Sequence, residues 1–191
     1  MRKIVLDVET KNTFQDVGTS DPTALDISIL VIYDSATDQY LSFSPEEFRS
    51  LWQILEHADL IIGYNSDYFD IPLLNKYYPG DLSQIKSIDL MKEIAKSAGR
   101  RIPLDAVASG TLGIKKGGHG IDAVIWYRQG QLEKIKSYCQ QDVKITKDLY
   151  DFAVQNRFLK YKFFNDVTQI PIDTTGWDEV KPTSINLTMP W

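Results

Sequence analysis

Arg2-Lys3-Ile4-Val5-Leu6-Asp7-Val8-Glu9 is an apolar, β-branched run closed by two acids. Side chains along a strand alternate between faces, so Asp7 and Glu9 lie on the same side of a β-strand at its C-terminal end, where they can share a cation. With 26 acids in 191 residues, roughly three or four acid-x-acid pairs arise by chance, so the pair alone decides nothing. Its position weighs more. Two same-face acids at the end of a buried strand are costly unless a metal or a cationic partner neutralises them.

Outward from this strand, Asp26 to Tyr33 and Gln39 to Phe43 read as two more, joined by a polar turn at Asp34 to Asp38. Ser44-Pro45-Glu46-Glu47 is a capping-box pattern with proline at the first helical position, and it opens an amphipathic helix that ends near His57. A short buried strand at Asp59 to Asn65 is followed by a helix with Pro72 in its first turn, reaching about Tyr78. Gln84 to Asp89 is a further strand. Helices are then expected at Leu90 to Ser97, Leu104 to Leu112, Gly120 to Tyr127 and Leu132 to Phe152. Strands first, then alternation, then a helical run predict an α/β fold, a mixed sheet flanked by helices. The order suggests one domain over residues 1–153, with residues 154–191 forming a C-terminal β-hairpin (Phe158 to Asn165 with Thr168 to Asp173) and a tail packed on it.

A chain of 191 residues that is 43% hydrophobic can bury one substantial core. It contains no membrane-spanning apolar run and begins without a signal-peptide pattern, so a cytoplasmic protein that leaves membranes alone is expected. Its single cysteine, Cys139, excludes an internal disulfide and a cysteine-rich zinc site. A net charge of -5 argues against a general nucleic-acid coating protein. It does not exclude a nuclease, because metals held by clustered carboxylates present positive charge to a phosphate.

Two further segments carry candidate chemistry. Gly63-Tyr64-Asn65-Ser66-Asp67-Tyr68-Phe69-Asp70 leaves the second buried strand and brings Asp70 to a helix N-terminus, beside the edge where α/β sheets gather their sites. Asp70 equally fits a plain helix N-cap. In Tyr138-Cys139-Gln140-Gln141-Asp142 a phenol and a carboxylate stand four residues apart and project from one helix face. That pair also fits a half-buried tyrosine beside a solvated aspartate.

Together and in this order, the three segments resemble the three exonuclease motifs of the DnaQ-like superfamily, whose fold is ribonuclease H-like. The resemblance covers Ile4 to about Tyr150. Residues 63 to 74 are similar to the second motif of family B DNA polymerase proofreading domains, and residues 138 to 143 to the third. Tyr138, where other members have histidine, points to the DEDDy branch. The resemblance implies that Asp7, Glu9 and Asp142 ligate one divalent cation, Mg²⁺ or Mn²⁺, and that Asp7 bridges to a second supported by Asp70. A phenol ordinarily titrates near pH 10, so Tyr138 is assigned to orienting the attacking water. The implied activity is two-metal 3′-to-5′ hydrolysis of single-stranded nucleic acid to 5′-mononucleotides, with DNA ahead of RNA. Thr10, Asn65 and Phe69 are the implied contacts to the terminal nucleotide. The chain has no room for a polymerase palm and fingers, so a free-standing enzyme or a subunit is expected, its polymerase or repair partner left open. Rival readings are a non-catalytic nucleic-acid-binding adaptor and a ribonuclease H-type endonuclease.

Weaker signals complete the reading. Lys115-Lys116-Gly117-Gly118-His119-Gly120 fits either a phosphate-wrapping loop or a solvated connection. Arg100-Arg101 fits either a strand guide or a solvated pair. His57 is assigned no chemistry, and Cys139, about 100° around the helix from Tyr138, is assigned to packing. Lys11 to Thr23 reads as an irregular connection or a gate over the site.

Overall fold

The structure is a computed structural model that describes residues 1–114 and 120–179. β1 (Lys3–Thr10) is the central strand of a five-stranded sheet. β2 (Ile27–Asp34) runs antiparallel to it and β3 (Gln39–Phe43) antiparallel to β2. On the other side β4 (Leu60–Gly63) and β5 (Ser87–Asp89) follow in parallel, giving the order β3-β2-β1-β4-β5. The expected mixed sheet is therefore present. Its first strand is pinned by Arg2, whose guanidinium makes two hydrogen bonds, 3.1 and 2.7 Å, to the buried carboxylate of Asp34.

Helices cover both faces, and the alternation along β1 divides the core between them. Ile4, Leu6 and Val8 pack with α2 (Phe48–Leu55) and α3 (Asp70–Asn75). Val5 faces the opposite layer with Val31 and Ile62, against α4 (Leu90–Ala98), α5 (Leu104–Thr111), α6 (Gly120–Arg128) and α7 (Leu132–Asn156). α7 buries Ile135, Cys139, Val143, Thr146, Leu149 and Ala153 at spacings of three and four residues, a continuous stripe laid across β1 and β2. It runs past the expected end at Phe152 and stops at Arg157, which is left-handed at φ 64°.

Local chemistry adjusts several expected boundaries. The capping box at Ser44 is formed, with the Ser44 amide donating to Glu47 Oε2 at 2.8 Å, but its first turn, Pro45–Glu47, is 3₁₀ rather than α. Leu82–Gln84 is another 3₁₀ turn capped by Asp81, so the strand expected from Gln84 is confined to Ser87–Asp89. The Lys11 to Thr23 connection is not irregular throughout. It contains α1 (Phe14–Val17), capped reciprocally by Thr13 and Asp16 and ended by Gly18 at φ 70°.

After α7, β6 (Phe158–Phe163) pairs antiparallel with β7 (Asp166–Pro171). β6 lies directly on α5, where a Cβ on Gly110 would fall 2.5 Å from the Tyr161 carbonyl carbon. Thr111 Oγ1 donates to the Lys160 carbonyl at 2.7 Å and accepts from the Lys160 amide at 2.8 Å. The following turn returns to the core, stacking Trp177 on Tyr150 with centroids 5.3 Å apart.

Candidate active site

Because Ile4, Leu6 and Val8 take one face of β1, Asp7 and Glu9 take the face covered by α7. α7 brings Tyr138 and Asp142 to the same place, 4% and 3% exposed. β4 ends at Gly63, where a Cβ would lie 2.3 Å from Ser66 Oγ, so only glycine permits the tight departure of the chain. Asn65 then adopts φ 66°, a left-handed conformation that asparagine tolerates better than most residues. Asp70 is the first residue of α3 rather than its N-cap, which is Phe69, and it is 4% exposed.

These side chains line one cleft of about 300 Å³. Asp7, Glu9, Asp70, Tyr138 and Asp142 line it, and so do Thr10, Asn65 and Phe69. Every residue singled out from the sequence as catalytic or substrate-binding borders this cleft. The Lys115 to His119 stretch falls outside the described residues.

Four carboxylates in so small a space create a strongly negative field. Burial, and then the charge of Asp7, hold the Asp70 carboxyl well above the usual carboxylate range, against the pull of the Asp70 and Val8 amides. The nearby thiol of Cys139 is pushed up by burial, then by Asp7 and Glu9. A carboxylate oxygen of Asp7, one of Glu9 and the Cys139 sulfur all lie within 4.8 Å of one another. Among the described residues no such close trio includes Asp70 or Asp142, although both line the cleft. A donor set dominated by carboxylate oxygens, with a buried carboxyl that resists ionisation until positive charge arrives, fits hard divalent cations.

Some contributors were not visible in the sequence. Cys139 does more than pack, since its thiol donates to the carbonyl oxygen and to Oδ2 of Asp7 at 3.2 and 3.3 Å. Asp89, at the end of β5, accepts from the amides of Asn65 (2.8 Å), Asp67 (3.2 Å) and Lys92 (3.3 Å), so one buried carboxylate both caps α4 and ties down the loop before Asp70. Its position just before a helix was the available signal. Phe14 of α1 meets Phe69 edge-on, with centroids 6.1 Å apart, and closes one side of the cleft. Asp16 of the same short helix is ion-paired with Arg128 of α6 at 2.7 Å, which links the two walls.

A family model described as RNase_H superfamily matches residues 4–154. The structure is similar to that of the family B DNA polymerase from the hyperthermophilic archaeon Pyrobaculum calidifontis, with a TM-score of 0.61 and 18% identity. That likeness covers 81% of this chain and 24% of the polymerase, so the chain spans about a quarter of the protein it resembles. A search of curated proteins found no match. Among the described residues no helix is long and apolar enough to cross a membrane.

Proposed function

The chain belongs to the RNase_H superfamily, and from that premise we propose that it is a metal-dependent 3′-to-5′ exonuclease acting on single-stranded nucleic acid, DNA first and RNA second. One observation carries the reading. Three segments distant in sequence, the end of β1, the start of α3 and the middle of α7, deliver Asp7, Glu9, Asp70, Asp142 and Tyr138 to a single cleft. In this reading residues 1–153 carry the reaction and the β6–β7 hairpin, which follows the end of α7 at Asn156, is appended to them; the tail expected beyond residue 179 lies outside the described residues.

Asp7, Glu9 and Asp142 would hold one cation, and Asp7 with Asp70 a second. Mg²⁺ or Mn²⁺ bound there would supply an activated water and stabilise the departing 3′ oxygen. The protein's own groups do the rest. Tyr138, fixed by the edge of Trp126 at 5.6 Å between centroids, orients the water. Cys139 holds the Asp7 carboxylate in place. The Phe14–Phe69 pair offers apolar faces to a terminal base, while Thr10 and Asn65 offer polar groups to its sugar and phosphate. A cleft of about 300 Å³ is small for a ligand site and suits one terminal nucleotide better than a paired end.

The test is a time course on 5′-labelled DNA and RNA strands with Mg²⁺ or Mn²⁺. A ladder shortening from the 3′ end, with 5′-mononucleotides released, is expected. Asp7→Ala should lower turnover at least about 1000-fold, the loss of several kcal/mol of charge stabilisation. Metal-loaded protein that binds either strand and never cuts would favour the adaptor, and degradation of a circular substrate would favour an endonuclease.

A further inference from the structure

Asn65, which lines the catalytic cleft, also borders a second concavity of about 420 Å³ that includes Tyr68 and Arg101. The Arg101 guanidinium carbon stands 5.4 Å from the centroid of the Tyr68 ring. Arg100 reaches the hairpin instead and stands 5.3 Å from the centroid of Tyr161. There it borders a third concavity of about 780 Å³, closed by Lys162, Phe163 and Phe164. The two phenylalanines meet edge-on at 4.7 Å yet are 60% and 83% exposed.

This row is held rigidly to the site. Tyr64, in the wall of the catalytic cleft, donates its hydroxyl proton to the carbonyl of Ile102 at 2.6 Å, which fixes the segment after the two arginines. The hairpin is fixed by its contact with Gly110 and by the paired bonds between Thr111 and Lys160. Of the acids along the way, Asp67 is paired with Lys92 (2.8 Å) and accepts from Ser87 (2.6 Å), Asp89 accepts from three amides, and Asp105, which lines the third concavity, accepts from the amide of Ala106 (3.0 Å). Among the described residues neither Arg100 nor Arg101 has a carboxylate partner.

Two exposed phenylalanines beside guanidinium groups that lie over the tyrosine rings and have no carboxylate partner among the described residues, on a chain that is otherwise acidic, match unpaired bases and their phosphates. A duplex hides its base faces, so the partner is single-stranded. We propose that the surface running from Asn65 through Tyr68–Arg101 and Arg100–Tyr161 to Phe163 and Phe164 binds single-stranded nucleic acid several nucleotides away from the end held in the cleft. The direction of the strand rests on the exonuclease reading; the binding does not.

Binding is measured by fluorescence anisotropy without divalent metal, using labelled oligothymidylates of 4 and 20 nucleotides and anionic phospholipid vesicles as a contrast. Phe163→Ala with Phe164→Ala, and separately Arg100→Gln with Arg101→Gln, should each weaken binding of the 20-mer about tenfold, the scale of one stacked base. The arginine pair should also make the salt dependence shallower by one to two in the log–log slope. With Mg²⁺, the wild type should prefer the 20-mer in kcat/KM and both variants should lose that preference. These side chains are exposed, so unchanged thermal unfolding will confirm intact folds. The proposal is overturned if the variants bind the 20-mer within twofold of wild type, or if the surface binds vesicles and not oligonucleotide. Normal binding of the 20-mer without cleavage by the wild type would sink the exonuclease reading alone.

Discussion

Cys139 Sγ lies 3.3 Å from Oδ2 of Asp7 and 3.2 Å from the Asp7 carbonyl oxygen, so the middle of α7 is hydrogen-bonded to the strand end that carries the acids. Burial and the charges of Asp7 and Glu9 keep the thiol protonated, which makes it a donor rather than a soft metal ligand. Cys139→Ser preserves a donor and should leave the Mg²⁺ dependence of turnover near that of wild type. Cys139→Ala frees the Asp7 carboxylate and should raise the Mg²⁺ midpoint about 10- to 100-fold, the usual cost of losing a group that orients a ligand. An alanine variant with an unchanged midpoint would show that Asp7 needs no such support.

Asp70 predicts a pH-dependent stability. Its carboxyl titrates above the ordinary range in the folded chain, first through burial and then through Asp7. The native state therefore holds that proton more tightly than the unfolded chain does. The stability this contributes is complete below about pH 4, the unfolded aspartate range, and is lost as pH rises through the raised folded value. Without metal, Asp70→Asn should melt above wild type at pH 8 and lose that advantage near pH 4. Each kcal/mol regained is about 2–4 °C in a chain of this size. Added Mg²⁺ should raise the Tm of wild type more than that of the variant; equal shifts in both would detach Asp70 from the metal.

Asp89 accepts three backbone amides from two segments, and removing it strands those donors in a buried place. Asp89→Ala should cost about 3 kcal/mol of stability, read by urea unfolding. It should also lower kcat without abolishing it, because Asn65 and the start of α3 lose their anchor. Asp89→Asn keeps an acceptor and should recover part of both. A stable alanine variant with normal turnover would mean that the loop is held by other contacts.

How far these features were legible differs by their range along the chain. The shared face of Asp7 and Glu9 follows from strand alternation, and the shared face of Tyr138 and Asp142 from helical spacing. Both are local rules that packing did not override. The cap on α1 is faint in the sequence because Thr13 is followed at the third position by Asp16, where a capping box most often has Glu or Gln. Cys139 is hidden for another reason. It is a quarter-turn from Tyr138, and only the way α7 lies across β1 lets the site wrap around the helix far enough to include both. The bond from the Asn65 amide to Asp89 spans 24 residues and depends on β5 lying beside β4, a neighbour relationship that no local pattern encodes.

Gly110 sets a packing limit on the hairpin. Any Cβ there would stand 2.5 Å from the Tyr161 carbonyl carbon and 2.7 Å from the Lys162 amide nitrogen, and backbone atoms cannot swing aside as a side-chain tip can. Gly110→Ala should push β6 away from α5 and cost about 1–3 kcal/mol, as overpacking does in other cores. The better helix propensity of alanine offsets at most about 1 kcal/mol of that. Unfolding midpoints measure the loss, and a variant as stable as wild type would show that the hairpin can slide without cost.

Tyr138→Phe separates positioning from proton abstraction. Tyr138 sits in the cleft with its ring against Trp126, and phenylalanine keeps that edge contact while deleting the hydroxyl. If the hydroxyl orients the attacking water, kcat should fall about 10- to 100-fold, short of the roughly 10²- to 10⁴-fold expected of a group that transfers the proton itself. KM and the Mg²⁺ midpoint should stay near wild type, because neither the strand nor the carboxylates have been disturbed. The shape of the pH–rate profile should also persist, since the remaining groups still set it. A profile that loses its alkaline or acid limb in the variant would instead make Tyr138 a proton-transfer group.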